Sequence, residues 1–214
     1  MRFRVLGARL TFAILTLTGH QAFADTPEAN KAVPATMSEA VPKSSFVSKD
    51  FTVPTLVEAP GFKIVPLGPD LVKIDFDAYM SSIEHLQKTF TRSTSWPHKD
   101  VSDADAMRDM ENEKARFEGR ESFAYAVLTP DGKRERGCVY VYPSTVKGYD
   151  SVVRMWVTKA EYDAGFDAEL YKWVTGWMQK DWPFKNVAYP GRSIEWVAWD
   201  SMVAANKAGP AASK

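Results

Sequence analysis

A Glu-His pair and one further carboxylate are the groups of this sequence best suited to acid–base chemistry. Glu84 and His85 are adjacent in a segment whose apolar residues recur at helical spacing. Because imidazole titrates near neutrality, His85 can bind an acceptor or act as a general base. Glu121, at the mouth of a predicted hairpin, is a second candidate base. The competing interpretations are a polar helix face for the first two residues and a solvated strand-end carboxylate for Glu121.

Cysteine and histidine are too sparse to predict a metal site or a thiol enzyme. The chain has one cysteine and three histidines, and none of them has H-x-x-x-H or C-x-x-C spacing, so no metal is expected. Cys138 lies in a strand-like run without a histidine beside it, which favours a small buried side chain over a nucleophile. A single cysteine also excludes an intramolecular disulfide.

The charge balance argues against nucleic acid as a partner. The 214 residues contain 27 Lys+Arg and 27 Asp+Glu, so no overall positive field attracts a phosphate backbone. Aromatic residues make up 13% of the chain, which is enough to build a substantial core. Length and composition together predict one globular domain with appended segments.

The first 24 residues have the three parts of a secretory signal peptide. Three arginines precede an apolar run at residues 10–17, which is too short to span a bilayer. An A-x-A motif at residues 22–24 follows. We therefore expect cleavage after Ala24, a periplasmic or secreted mature protein, and no stable membrane insertion of that product. An uncleaved anchor and a misplaced start codon are the alternatives.

Two segments beside the patterned region lack periodicity. Residues 25–60 are rich in Pro, Ala, Ser, Thr and Lys, which is typical of a flexible tether, although residues 46–57 have some apolar character and could lie against the domain. Residues 204–214 are mostly small and predict a disordered tail. The predicted domain therefore covers residues 61–203.

Hydrophobic periodicity and turn signals give an order of alternating strands and helices. Pro130-Asp131-Gly132 is the turn signal of an antiparallel hairpin. The predicted elements are a strand at 62–67, helices at 77–90 and 102–120, hairpin strands at 123–128 and 138–142, a strand at 151–158, a helix at 167–182, and strands at 187–189 and 194–199.

This order resembles the GNAT N-acetyltransferase fold over about residues 62–201. Four short sequence segments are similar to those of GNAT-like bacterial proteins, namely SSIEHLQKTF, SWPHKD, ESFAYAVLTPDGKRERGCVYVYP and WPFKNVAYPGR. The resemblance implies an α/β fold with a mixed, mostly antiparallel central sheet flanked by helices. It also implies acyl transfer from acetyl-CoA to a small-molecule or peptide amine.

The resemblance also implies a location for the cofactor. In GNAT proteins one strand separates from the next, and its exposed backbone binds the pantetheine arm. The loop that follows, usually Q/R-x-x-G-x-G/A, presents backbone amides and a helix start to the pyrophosphate. The corresponding residues are Met155, Trp156 and Val157 for the arm, and Gly165 and Phe166 for the pyrophosphate.

Catalytic roles follow from the same resemblance. The first helix borders the acceptor cleft in GNAT proteins, which would bring Glu84 and His85 to the substrate. A tyrosine often serves as general acid toward the departing thiolate, and Tyr171 is placed for that role. Packing against the core is the competing interpretation of Tyr171.

The loop before the last predicted long helix departs from the family pattern. Residues 158–166 contain one glycine, and Glu161, Asp163 and Asp167 cluster where phosphates would bind. Like charges about 4 Å apart repel by about 4 kcal/mol at an effective dielectric of 20. The sequence therefore predicts a weakened acetyl-CoA site. The alternative function is an exported, non-catalytic binding or interaction module that retains the fold.

Two arginines near the expected cleft have more than one interpretation. Arg154 lies inside an otherwise apolar strand, where a cleft-lining position or an edge ion pair would explain it. Arg192 follows a Pro-Gly turn and is a candidate for binding an anionic acceptor.

Overall fold

The computed structural model describes residues 46–208 of the chain. The predicted signal peptide and its cleavage site lie outside the described residues. None of the helices within 46–208 is long and apolar enough to cross a membrane.

One sheet organises the described residues, and its strands lie side by side in the order of the chain. Each neighbouring pair is antiparallel except the last, which is parallel. This confirms the expected mixed, mostly antiparallel sheet. The strands are β1 Val57–Ala59, β2 Phe62–Pro66, β3 Phe123–Leu128, β4 Glu135–Pro143, β5 Ser151–Val157 and β6 Val187–Ala188.

Helices lie in the β2–β3 and β5–β6 connections and after β6. They are α1 Val72–Met80, α2 Ile83–Leu86, α3 Asp103–Glu118, α4 Lys159–Asp163, α5 Phe166–Asp181 and α6 Trp196–Ala208, with a π-helical turn at Gln87–Thr91 after α2. The first predicted helix thus starts earlier than residue 77 and is interrupted at Ser81 and Ser82.

Local signals explain the start of α3 and the β3–β4 hairpin. The Ser102 hydroxyl accepts from the backbone N–H of Asp105, whose carboxylate accepts in return from Ser102, forming a capping box. In the hairpin turn, Gly132 has a φ of 76°, a conformation that glycine adopts without strain. Both elements were predicted from these residues.

Helices cover both faces of the sheet, which explains why every residue of β3 is buried. On one face, the side chains of Phe123, Tyr125 and Val127 pack with α5. On the other face, alanines of β3 pack with α1 and with Met110 of α3.

The predicted strand at 194–199 is wrong, because these residues lead into helix α6. Trp196, Trp199 and Val203 recur at helical spacing and pack with Val152 and its neighbours in a third apolar cluster. The predicted disordered tail also begins too early, since α6 continues to Ala208. Residues 209–214 lie outside the described part.

The predicted tether requires a similar correction over its described part. Val47 is 3% exposed and belongs to the main core. Arg120 donates from its side chain to the carbonyls of Ser48 and Phe51, and its own carbonyl accepts from Phe46. Residues 46–59, which include β1, therefore form part of the domain, and the domain begins earlier than residue 61.

Candidate functional site

A groove opens where β5 and β6 separate. The two strands pair only at Ser151↔Val187 and Val152↔Ala188. After β6 the chain turns through Gly191 and makes a bridge between Pro190 and Ile194. A cavity of about 280 Å³ therefore lies along residues 153–157, where the outer edge of β5 pairs with no other strand of residues 46–208.

Three elements supply the walls of this groove. The segment from α2 to the π-helical turn contributes His85, Lys88, Thr89 and Phe90. The turn after β6 and the first residue of α6 form the opposite wall with Gly191, Arg192 and Trp196 among its residues. A Cβ on Gly191 would collide with the Trp196 indole, so the turn requires glycine at this position. Tyr162 and Asp167 lie at the end where β5 leads into α4 and α5.

His85 has the environment of a neutral base. Its ring packs against Tyr162 at a centroid distance of 4.9 Å. Partial burial and the charge of Lys159 lower the pKa of His85 below its usual 6.5, while the negative charges of Asp167 and Asp163 and a hydrogen bond with the backbone of Val157 offset part of that shift. The imidazole is therefore mostly uncharged at neutral pH, and a neutral imidazole can accept a proton.

The other predicted catalytic residues do not line the groove. Glu84 is exposed and borders a neighbouring surface hollow with His85. Glu121 is exposed ahead of β3. Tyr171 packs edge-on against Tyr189 at 5.7 Å. Their catalytic roles stay predictions, and His85 alone among the four reaches the groove.

The predicted cofactor-binding residues divide into two groups. Met155, Trp156 and Val157 line the groove, although each residue as a whole is at most 6% exposed. Gly165 has a φ of 84° and precedes α5 without a side-chain cap, and Phe166 is buried beneath the Arg136 guanidinium. Neither residue of this second group lines the groove.

The predicted cluster of free negative charge is wrong, because a cation pairs with each carboxylate. Burial alone would raise the pKa of Glu161, but hydrogen bonds from Arg136 and the nearby Arg134 hold it below its usual range. The Glu161 carboxylate lies 2.6 Å from Arg136 and 2.7 Å from Arg134. Asp163 pairs with Lys159 at 2.6 Å. Like-charge repulsion therefore gives no reason for a weakened anion site.

Asp167 is the third of these carboxylates and, within the part of the chain that the structure describes, the only acidic residue lining the groove. It accepts a two-point interaction from Arg192, with 2.6 Å between Nη2 and Oδ1. Three basic side chains line the same groove, namely Lys88, Arg154 and Arg192. The net charge of the lining is thus positive, which suits an anionic ligand.

The sequence analysis did not identify the groove wall formed by the π-helical turn after α2. Lys88, Thr89 and Phe90 follow His85 at helical spacing, so a face shared by residues 85, 88 and 89 was a signal available in the sequence. Trp196 was missed for another reason, because its segment was predicted to be a strand.

A buried acidic and thiol group lies apart from the groove. Asp75, Glu135 and Cys138 place their ligand atoms within 4.8 Å of one another, and within residues 46–208 they form the one group arranged to hold a metal ion. The Cys138 thiol donates to Glu135 at 2.8 Å. Burial raises the pKa of Asp75 to about 7 and raises those of Glu135 and Cys138 well above their usual ranges. Protons therefore compete with any metal for these atoms.

Known structures share this architecture. A ribosomal-protein-S5-alanine acetyltransferase from Vibrio fischeri is similar with a TM-score of 0.50 and 12% sequence identity, over 72% of this chain and 82% of that one. The chain has a GNAT-like fold. A GnaT-family protein from Bordetella pertussis gives a TM-score of 0.48 and 13% identity, over 64% of this chain and 78% of that one. No protein-family model and no curated protein matches the sequence.

Proposed function

We propose that the groove along β5 binds acetyl-CoA and that the protein transfers the acetyl group to a small-molecule or peptide amine. The observation that carries this proposal is the separation of β5 from β6 beside a neutral histidine. Acetyl-CoA would supply an activated thioester. In a GNAT-like fold, the exposed edge of such a strand is the surface that receives the pantetheine arm.

The residues of the groove fit a thioester that carries phosphates. The backbone of residues 153–157 offers hydrogen-bonding groups to an extended arm. Lys88 and Arg192 place positive charge in the lining, and the first amides of α5 have no side-chain cap. The pyrophosphate would accordingly lie toward the start of α5.

His85 would act on the acceptor. A primary amine is protonated at neutral pH, and His85 in its neutral form accepts that proton. The amine nitrogen then forms a bond to the acetyl carbon as the carbon–sulfur bond breaks. The proton on His85 passes to the departing sulfur, and the acylated nitrogen loses its second proton to water. The imidazole is then neutral again, and one proton is released to solvent in each turnover.

Titration calorimetry of the full-length protein with CoA and acetyl-CoA tests the first part of the proposal. We expect dissociation constants in the micromolar range for both. The absence of binding at about 1 mM would overturn the proposal, since that corresponds to no more than about 4 kcal/mol.

Release of free thiol from acetyl-CoA, measured with a panel of amines, tests the second part. His85→Gln should lower turnover by about 100-fold or more while leaving CoA binding within about two-fold, because a general base contributes about that much to rate. His98→Gln is the matched control, since His98 lies in the loop after the cis Trp96-Pro97 peptide and does not line the groove. Equal turnover in both variants would remove His85 from the mechanism.

A second candidate function is a non-catalytic binding module. The observation that favours it is α4, which occupies the connection between β5 and α5 and leaves Gly165 as the only glycine there. Fewer glycines restrict how closely the backbone can approach a phosphate. CoA binding without thiol release from any amine, or no CoA binding at all, would favour this function.

A further inference from the structure

Arg154 is a partly buried cation that has no carboxylate partner among residues 46–208. Its guanidinium donates to the carbonyl of Phe90, and this is its one hydrogen bond with the described residues. Burial is the main influence on its pKa, which is lowered from the usual 12.5. Tyr142 and Tyr140 offset part of that effect and Arg92 adds to it, and no carboxylate of the described residues is among the causes. An unpaired charge in such a position destabilises the folded state unless a ligand compensates for it.

Aromatic rings hold the Arg154 guanidinium in place. It lies 4.4 Å from the ring centroid of Phe90 and 5.4 Å from that of Trp196. Arg92 stacks on the same Trp196 at 4.1 Å, but Arg92 also forms a two-point ion pair with Asp200. Two arginines thus share one indole, and among the described residues only Arg92 has a carboxylate partner, whereas Arg154 inside the groove has none.

Arg154 lies near the end of the groove that is closed by the pairing of β5 with β6. It is the second residue after the last β5–β6 pair at Val152. Val157, where β5 leads to α4 and α5, is three residues further along, or about 10 Å at the rise of an extended strand. If the pantetheine arm follows residues 153–157 with its phosphates toward α5, the reacting acyl carbon lies near Arg154.

We propose that Arg154 binds a carboxylate carried by the substrate at the closed end of the groove. The proposal rests on the proposed function and specifies its substrate class. A guanidinium offers a planar fork that matches a carboxylate in two-point contact. An acetyl group and an uncharged amine would leave the Arg154 charge unpaired, whereas a carboxylate would neutralise it.

The carboxylate has two sources with the same chemistry. It belongs either to the acyl group, as in a dicarboxylic acyl thioester, or to the acceptor amine. The Arg154 side chain projects from the same strand face as Trp156, toward the π-helical turn and α6, so both parts of a substrate can reach it. The experiment distinguishes the two sources with two ligand pairs.

The first pair is succinyl-CoA and butyryl-CoA, which differ by a carboxylate in place of a methyl group. The second pair is N-acetylalanine and N-acetylalanine amide, which represent acetylated products with and without a carboxylate. Both pairs are titrated into the full-length protein by calorimetry, and the second pair is titrated with and without CoA. We expect the carboxylate member of one pair to bind at least about ten-fold more tightly than its neutral partner.

Variants of the two arginines that share Trp196 test the assignment. Arg154→Met should reduce the carboxylate preference to less than about two-fold while leaving the affinity for CoA within about two-fold. Arg154→Lys, which keeps the charge but not the fork, should retain part of the preference. Arg92→Met is the matched control and should retain all of it. Thermal melts of each variant verify that the fold is intact.

A preference in the first pair identifies the acyl group as the carrier of the carboxylate, and one in the second pair identifies the acceptor. CoA binding with no preference in either pair overturns the Arg154 proposal and leaves the proposed function standing. No CoA binding overturns the proposed function. The second pair titrated without CoA then tests whether Arg154 binds a carboxylate, and no preference in that pair overturns the Arg154 proposal. A preference that survives in Arg154→Met also overturns the proposal.

Discussion

The buried Asp75 carboxyl should make the stability of this protein depend on pH, and Asp75→Asn should remove the part of that dependence that Asp75 contributes. Asp75 is 4% exposed, and burial raises its pKa from 3.8 to about 7, with the negative charges of Asp109 and Glu113 as minor contributions. At about 1.4 kcal/mol per pKa unit, the shift corresponds to about 4 kcal/mol. This is the scale of the free-energy penalty for ionising Asp75 in the folded state.

The direction in which stability changes with pH follows from proton uptake. Because the folded pKa is above the unfolded pKa, the folded protein binds the Asp75 proton more tightly. The favourable contribution is fully present below about pH 4, is lost as the pH rises to about 7, and stays lost above that. Asparagine has no proton to lose, so Asp75→Asn should stabilise the protein by about 2 to 4 kcal/mol at pH 8 and change stability by less than about 1 kcal/mol at pH 4.5.

Guanidinium unfolding followed by tryptophan fluorescence at the two pH values measures this difference. Asp181→Asn is the control, since Asp181 is exposed at the end of α5, and its effect should be small and equal at both pH values. The reasoning is refuted if Asp75→Asn has the same effect at pH 4.5 and pH 8, or if it destabilises the protein at pH 8.

Three further predictions concern the start of the domain, a buried ion pair and the leader. A chain that begins at Gly61 should lose at least about 3 kcal/mol of stability relative to the full-length protein, because it lacks the buried Val47 and strand β1; equal melting temperatures would show that residues 46–60 contribute nothing. Glu161→Gln should destabilise the protein by about 1 to 2 kcal/mol, because it removes the charge that pairs with two arginines, and an unchanged unfolding midpoint would contradict this. N-terminal sequencing of protein from fractionated cells should find a chain that starts after Ala24, and a cytosolic chain that retains Met1 would exclude export.

Elements with local signals were predictable from the sequence. The β3–β4 hairpin follows from a Pro-Asp-Gly turn between two β-rich runs, and α3 follows from a capping box at Ser102. In both cases the stabilising groups are within a few residues of one another. The GNAT-like order of the elements could be recognised for the same reason.

Elements stabilised by distant contacts were predictable only in part. Residues 46–59 look like a tether in composition, and the apolar character of residues 46–57 left docking open as an alternative, but their contacts with Arg120 and the main core appear only in the structure. The segment from Ile194 contains two tryptophans in a short apolar run, and its helical form depends on packing against β5 and β6. A short apolar run has no intrinsic preference strong enough to decide between strand and helix.

The candidate site divides in the same way. The sequence alone indicated His85 and residues 155–157, because their positions follow from the order of the elements and their chemistry from residue type. Only the tertiary structure decided the charge of the groove. It paired Glu161 with two arginines of the β3–β4 hairpin and Asp167 with Arg192, and it placed no carboxylate of residues 46–208 beside Arg154. The electrostatic effect of a side chain depends on which charges lie within a few ångströms of it. For Glu161 and Asp167 those charges come from arginines at least 25 positions away in the chain.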